Sequence, residues 1–171
     1  MKKTLYMFLA VSLIFTACKK EEGCTDPIAS NYNADAEDDD GSCIYGIVGT
    51  WNPYEVSVTA SYTVSMAGQV IESFDTSYTQ SADEAGIEGN IEFTNDGTVI
   101  TTDDDGEVEI DNYSISGNTV TITDSDGEAN IANYSVSKTN LSLTITDTET
   151  EIDFGAEITS TTEMTINSTR Q

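Results

Sequence analysis

The sequence predicts an all-β fold, an up-and-down antiparallel meander of about 8 to 10 strands. Three observations predict it. From Tyr54 to Met66 apolar and polar residues alternate strictly, with Tyr54, Val56, Val58, Ala60, Tyr62, Val64 and Met66 on one face. Successive side chains of a strand point to opposite faces, so this period marks a long strand with one buried face. Further on, short apolar runs are separated by Asn95-Asp96-Gly97, Asp103-Asp104-Asp105-Gly106, Gly117-Asn118 and Asp124-Ser125-Asp126-Gly127. Asx-Gly between period-2 runs is a hairpin signal, because these residues accept the backbone conformations of tight turns. Finally, the segment from Glu107 to Ser116 recurs with substitutions from Glu128 to Ser137. A repeated hairpin unit builds a meander more naturally than a Greek key. That favours a barrel over an immunoglobulin-like sandwich without excluding the sandwich.

The first element is an export segment. Met1-Lys2-Lys3 is basic, and the apolar run from Leu5 to Phe15 is too short for a membrane span of about 20 residues. Thr16-Ala17-Cys18 ends it. Small residues before a cysteine resemble a bacterial lipobox, although Phe15 stands where Leu is commoner. The resemblance implies a signal peptide over residues 1–17 and acyl chains, palmitate among them, on Cys18. More than one chain makes a stable anchor. An ordinary secretory signal with a cysteine at its cleavage site is the alternative. Residues 18–22 then form a lipidated tether. Its Lys19-Lys20-Glu21-Glu22 resembles signals that carry some Gram-negative lipoproteins to the outer face of the outer membrane, though a plain solvated tether fits equally.

Residues 23–46 form an acidic cysteine module. The stretch Gly23-Cys24-Thr25-Asp26-Pro27 through Asp38-Asp39-Asp40-Gly41-Ser42-Cys43 closely resembles a short motif, CTDPxAxNYNxxAxxDDGSC, of secreted and surface proteins in certain Gram-negative bacteria. Two cysteines in an exported chain are expected to pair, Cys24 with Cys43. The segment needs the cross-link because its large apolar groups are only Ile28, Tyr32, Ile44 and Tyr45. Asp26, Asn31, Asn33, Asp35, Asp38, Asp39 and Asp40 offer hard oxygen ligands near a glycine turn, which suits Ca²⁺ rather than Zn²⁺ or Cu²⁺. The spacing is loosely similar to a thrombospondin type 3 repeat and is not an EF-hand loop. A merely acidic, stapled spacer is the equal alternative.

Residues 47–171 carry the meander. Gly49-Thr50-Trp51 holds the chain's one tryptophan, and Arg170 is its one arginine. A Gly-x-Trp on the first strand matched by an Arg on the last resembles lipocalins and the compact lipocalin-like domains of bacterial lipoproteins. The resemblance implies a calycin-type barrel in which Arg170 stacks on Trp51 and first and last strands join. It also implies a small apolar ligand inside. The second lipocalin motif, Thr-Asp-Tyr, is missing, and no C-terminal helix follows the last strand. The inward positions expected to meet a ligand are Val56, Val58, Tyr62, Val64, Phe93, Ile115, Ile122, Leu143 and Phe154. With few aromatics among them, a cavity is expected. An eight-stranded barrel either fills its interior or holds one small ligand.

Charge and composition narrow the functions. There are 31 acidic and 6 basic residues and no histidine. Such a polyanion should bind neither nucleic acid nor anionic lipid directly. The usual general base is absent, each cysteine has a non-catalytic use, and no carboxylate pair stands out, so an enzyme is not expected. Two readings remain. One is a monomeric, lipid-anchored binding protein for a small apolar ligand. The other is a structural or interaction protein with a solid barrel and a Ca²⁺-dependent acidic spacer.

Overall fold

The computed structural model describes residues 20–171. Cys18, the signal peptide and the start of the tether lie outside the described residues. The chain divides into two compact units, meeting in sequence between Gly46 and Ile47.

Among its described residues, the first unit has almost no regular structure. Two short strands, β1 (Glu22–Gly23) and β2 (Asp38–Asp39), pair in parallel. Cys24 and Cys43 are joined by a disulfide, their Cα atoms 4.8 Å apart. The remaining loops are held by side chains acting as turn partners. The Asn31 carboxamide donates to Ser42 O and accepts from the Ile44 N–H, and the Tyr45 hydroxyl donates to Asp26. The Lys20–Asp38 ion pair is exposed on both sides and contributes little.

The second unit is all-β. Its strands are β3 (Gly49–Met66), β4 (Gln69–Ser81), β5 (Asn90–Phe93), β6 (Thr98–Thr102), β7 (Val108–Ser116), β8 (Thr119–Thr123), β9 (Ala129–Val136), β10 (Asn140–Asp153) and β11 (Ala156–Arg170). Every neighbouring pair from β5 to β11 is antiparallel and consecutive. The ring closes where β11 pairs with β3, opposite the pairing of β3 with β5. Eight strands therefore form a closed up-and-down barrel, which removes the free edges of the sheet. The repeated segment supplies two equivalent hairpins. In each, an aspartate caps the turn: Asp103 accepts from the Glu107 N–H, and Asp124 from the Glu128 N–H.

The ninth strand, β4, lies outside the ring. Strand β3 pairs with β5 only over Gly49–Trp51, then with β4 from Glu55 to Met66. On its other side it follows β11 for its whole length. The upper halves of β3, β11 and β10 thus run on past the barrel, and with β4 they make a four-stranded extension. The even alternation from Tyr54 to Met66 does not reveal this change of environment. It also misplaces Tyr54. A bulge in the β3–β11 ladder sets Ser168 opposite Pro53 and Asn167 opposite Glu55, leaving Tyr54 unpaired between them. The extra residue turns Tyr54 outward, about half exposed, while Trp51, Pro53 and Val56 face the interior.

One face of the extension is a field of hydroxyls. Cross-strand rows run Thr79–Ser57–Thr165–Thr144 and Ser73–Thr63–Thr159–Thr150. Hydroxyls meet across the strands at Ser57–Thr79 (3.0 Å) and Thr144–Thr165 (2.9 Å). Such pairs, with the strand preference of threonine, stabilise a sheet that buries little. The opposite face carries Tyr62 against Phe74, ring centroids 6.2 Å apart. The Tyr62 hydroxyl donates to Glu72, which pushes its pKa above the usual phenol value.

The core sits inside the ring. Ile47, Trp51, Phe93, Val99, Val120, Ala132, Leu141 and Leu143 form one buried cluster. Phe93 meets Tyr113 edge to face, and the Tyr113 hydroxyl donates to Thr94 O. Burial raises the Tyr113 pKa. One interior group is anomalous: Ser168 Oγ is fully buried and has no hydrogen-bond partner among the described residues. An orphaned hydroxyl carries its desolvation penalty without return. Ser168→Ala is expected to raise stability by about 1 kcal/mol, read from the urea midpoint. A loss of stability would show that the hydroxyl holds a partner such as a buried water.

Candidate functional site

One end of the barrel is sealed. Arg170 stands opposite Trp51 in the β3–β11 register, and its Cζ lies 4.1 Å from the indole centroid. The guanidinium is fixed by its own donors: Nε to Lys138 O and Nη1 to Val48 O. Trp51 is fully buried, and its Nε1–H donates to Ile47 O at 2.7 Å. Gly49 belongs to the same arrangement. Its φ of +136° favours glycine, and a Cβ there would collide with the Arg170 guanidinium.

Toward the other end the packing opens. Above the cluster is a cavity of about 180 Å³, walled by Ile91, Phe93, Val99, Ile122, Leu143 and Ile145. A cavity of roughly 150 Å³ holds a benzene-sized molecule, and common ligand pockets run from about 300 Å³ upward. This one therefore suits a small ligand or one end of a longer one. The polar residues of its wall are Thr101, Glu109, Asp111 and Asn130. A wider groove shares Ile91, Thr101, Glu109 and Asp111 with it.

The expected ligand positions divide sharply. Phe93, Ile122 and Leu143 line the cavity. Val56 is buried beneath the extension but is not part of the wall. Val58, Tyr62 and Val64 belong to the stretch of β3 paired with β4, and none of them lines the cavity. Ile115 does face inward, but it pairs with Val120 beside the Gly117-Asn118 turn at the sealed end, and it is 46% exposed. Phe154 is the plainest correction. It sits in the β10–β11 turn with φ +47° and is 98% exposed. Alternation placed it inward, but a residue at a hairpin tip has no facing layer to pack on. Sequence reasoning also missed Ile91, Val99 and Ile145 as ligand positions. All three lie in its period-2 runs, and only closure of the ring shows that they converge.

In the cysteine module several of the expected oxygen ligands are engaged in local turns. Asn33 accepts from the Asp35 N–H, Asp39 from the Gly41 N–H and Asp40 from the Ser42 N–H. The Ser42 hydroxyl, and then its N–H, hold the Asp40 carboxyl below the usual carboxylate pKa. Among the described residues no three Asp, Glu, Cys or His side chains come together as a metal site. Asp26, Asp39 and Asp40 act one by one as turn formers. Neither a protein-family model nor a curated protein matches the chain.

Proposed function

We propose that the protein is a lipid-anchored, monomeric binding protein of the Gram-negative cell envelope that takes a small apolar ligand into its barrel. The supporting observation is the apolar cavity beside Phe93, in a barrel sealed at one end by Trp51 and Arg170, with four of its wall residues shared with a groove. No catalytic step belongs to this reading, and the chain has no histidine to serve as a general base. The anchor is Cys18, and the site faces the periplasm or the cell exterior.

Ala132 is buried and lines the cavity, so Ala132→Phe should fill it. Titration with the neutral fluorophore N-phenyl-1-naphthylamine is expected to show saturable binding to the native chain and at least about tenfold weaker binding to the variant, a difference of ~1.4 kcal/mol. Equal binding would place the probe elsewhere. For the anchor, Cys18→Ser is expected to leave the membrane fraction and lose labelled fatty acid. A variant that still sediments with membranes and takes up label would refute the anchor.

A second reading, an interaction protein, draws support from the extension. Its edge strand β4 exposes Val70, Ile71, Phe74 and Tyr78, and unpaired edges with apolar side chains attract other chains.

A further inference from the structure

Resting on the binding reading above, we infer that the barrel selects a ligand with a positively charged head on a small apolar body, an organic ammonium ion. The cavity is the site, and the carboxylates at its mouth decide which ligand enters. Glu109 and Asp111 line both cavity and groove, and Glu88, Asp103 and Glu107 line the groove around them. Neither the Glu109 nor the Asp111 carboxylate is hydrogen-bonded or ion-paired among the described residues.

The fold does not require these acids. In β7, Glu109 and Asp111 occupy the inward register of Tyr113, opposite Thr101 and the buried Val99. The repeated segment puts Asn130 and Ala132 at the corresponding inward positions of β9, which line the same cavity. An uncharged pair therefore serves the barrel equally well. Asp111 is half-buried and Glu109 is exposed, and neither carboxylate gains a partner from the fold.

Nothing within the unit neutralises them. From residue 47 onward the only cations are Lys138 and Arg170, and both belong to the sealed end, where Arg170 Nε bonds to Lys138 O. The turns at the open end add Asp104, Asp105, Asp124 and Asp126. A concave mouth lined by one sign of charge over low-dielectric walls concentrates the opposite ion. An ammonium group at the margin, with its apolar part below, meets both halves of the site. An anionic amphiphile of the same size is repelled.

The test uses the full chain and three probes sharing one benzene-sized body: benzylammonium, benzyl alcohol and benzoate, titrated calorimetrically at low salt. Benzylammonium is expected to bind at least about tenfold more tightly than benzoate, with the alcohol between, and the gap should shrink as salt screens the mouth. Glu109→Gln combined with Asp111→Asn should bring benzylammonium down to the alcohol and leave the alcohol within about twofold. The repeat-derived pair Glu109→Asn with Asp111→Ala should do likewise. Benzoate equal to or tighter than benzylammonium overturns the charge selection while ligand binding stands. A cation preference that survives both double variants overturns the role of these two residues. Failure of all three probes to bind overturns the binding reading and this inference with it.

Discussion

Trp51→Ala is expected to lower the stability of the barrel by about 3–5 kcal/mol, the range for removing a large aromatic from a core. The indole is fully buried, touches the base of the core cluster and donates to Ile47 O. Its loss leaves a cavity at the point where β3 meets β11 and strips the Arg170 guanidinium of its aromatic face. Since whole domains are stable by only about 5–15 kcal/mol, the variant should melt roughly 10–20 °C lower, measured by circular dichroism. Arg170 tests the same contact more gently. Arg170→Ala removes a cation–π interaction worth about 0.5–2 kcal/mol, and Arg170→Lys should recover only part of it, because an ammonium has no planar face to stack. If Trp51→Ala costs less than ~1 kcal/mol, the sealed end does not hold the barrel together as described.

Replacing both Cys24 and Cys43 by alanine is expected to destabilise the first unit by about 3 kcal/mol, the chain-entropy value for a loop of roughly 20 residues. The unit has little else. Among its described residues, Cys24 and Ala29 are the buried apolar ones, and Ile28, Tyr32 and Ile44 are exposed. Its backbone bonds, such as Asn33 N–H to Cys24 O and Ser30 N–H to Ile44 O, should then lose hydrogen-exchange protection. Amides of the β3–β11 ladder serve as the internal reference. Undiminished protection in the variant would mean that the turn-forming side chains suffice without the cross-link.

Three residues of the cavity wall were legible before the structure. Phe93, Ile122 and Leu143 were readable because each sits in a short alternating run between turn signals, where one face must be buried. Val58, Tyr62, Val64 and Phe154 show the same alternation but lie off the cavity. Alternation reports that a strand has two unlike faces. It does not report whether the apolar face meets a barrel interior or an open sheet. The acids of the mouth were illegible for a different reason. Among 31 acidic residues no pair stands out in sequence, and only the shared wall of cavity and groove distinguishes Glu109 and Asp111.

What the sequence determined by itself is local. Asx-Gly turns and period-2 runs are set by φ preferences and by the pleat, so the all-β class, the consecutive hairpins and the equivalence of β6–β7 with β8–β9 follow from neighbouring residues alone. The pairing of Trp51 with Arg170 spans almost the whole second unit, and residues so far apart reveal contact only once the ring closes. The tertiary structure alone decided where the ring ends and the extension begins. That boundary depends on β3 exchanging β5 for β4 as its neighbour, beside a bulge at Tyr54 that reverses which side chains face inward. Strand exchange and bulge register are fixed by competition between ladders for one edge, and no single strand's own residues encode the outcome.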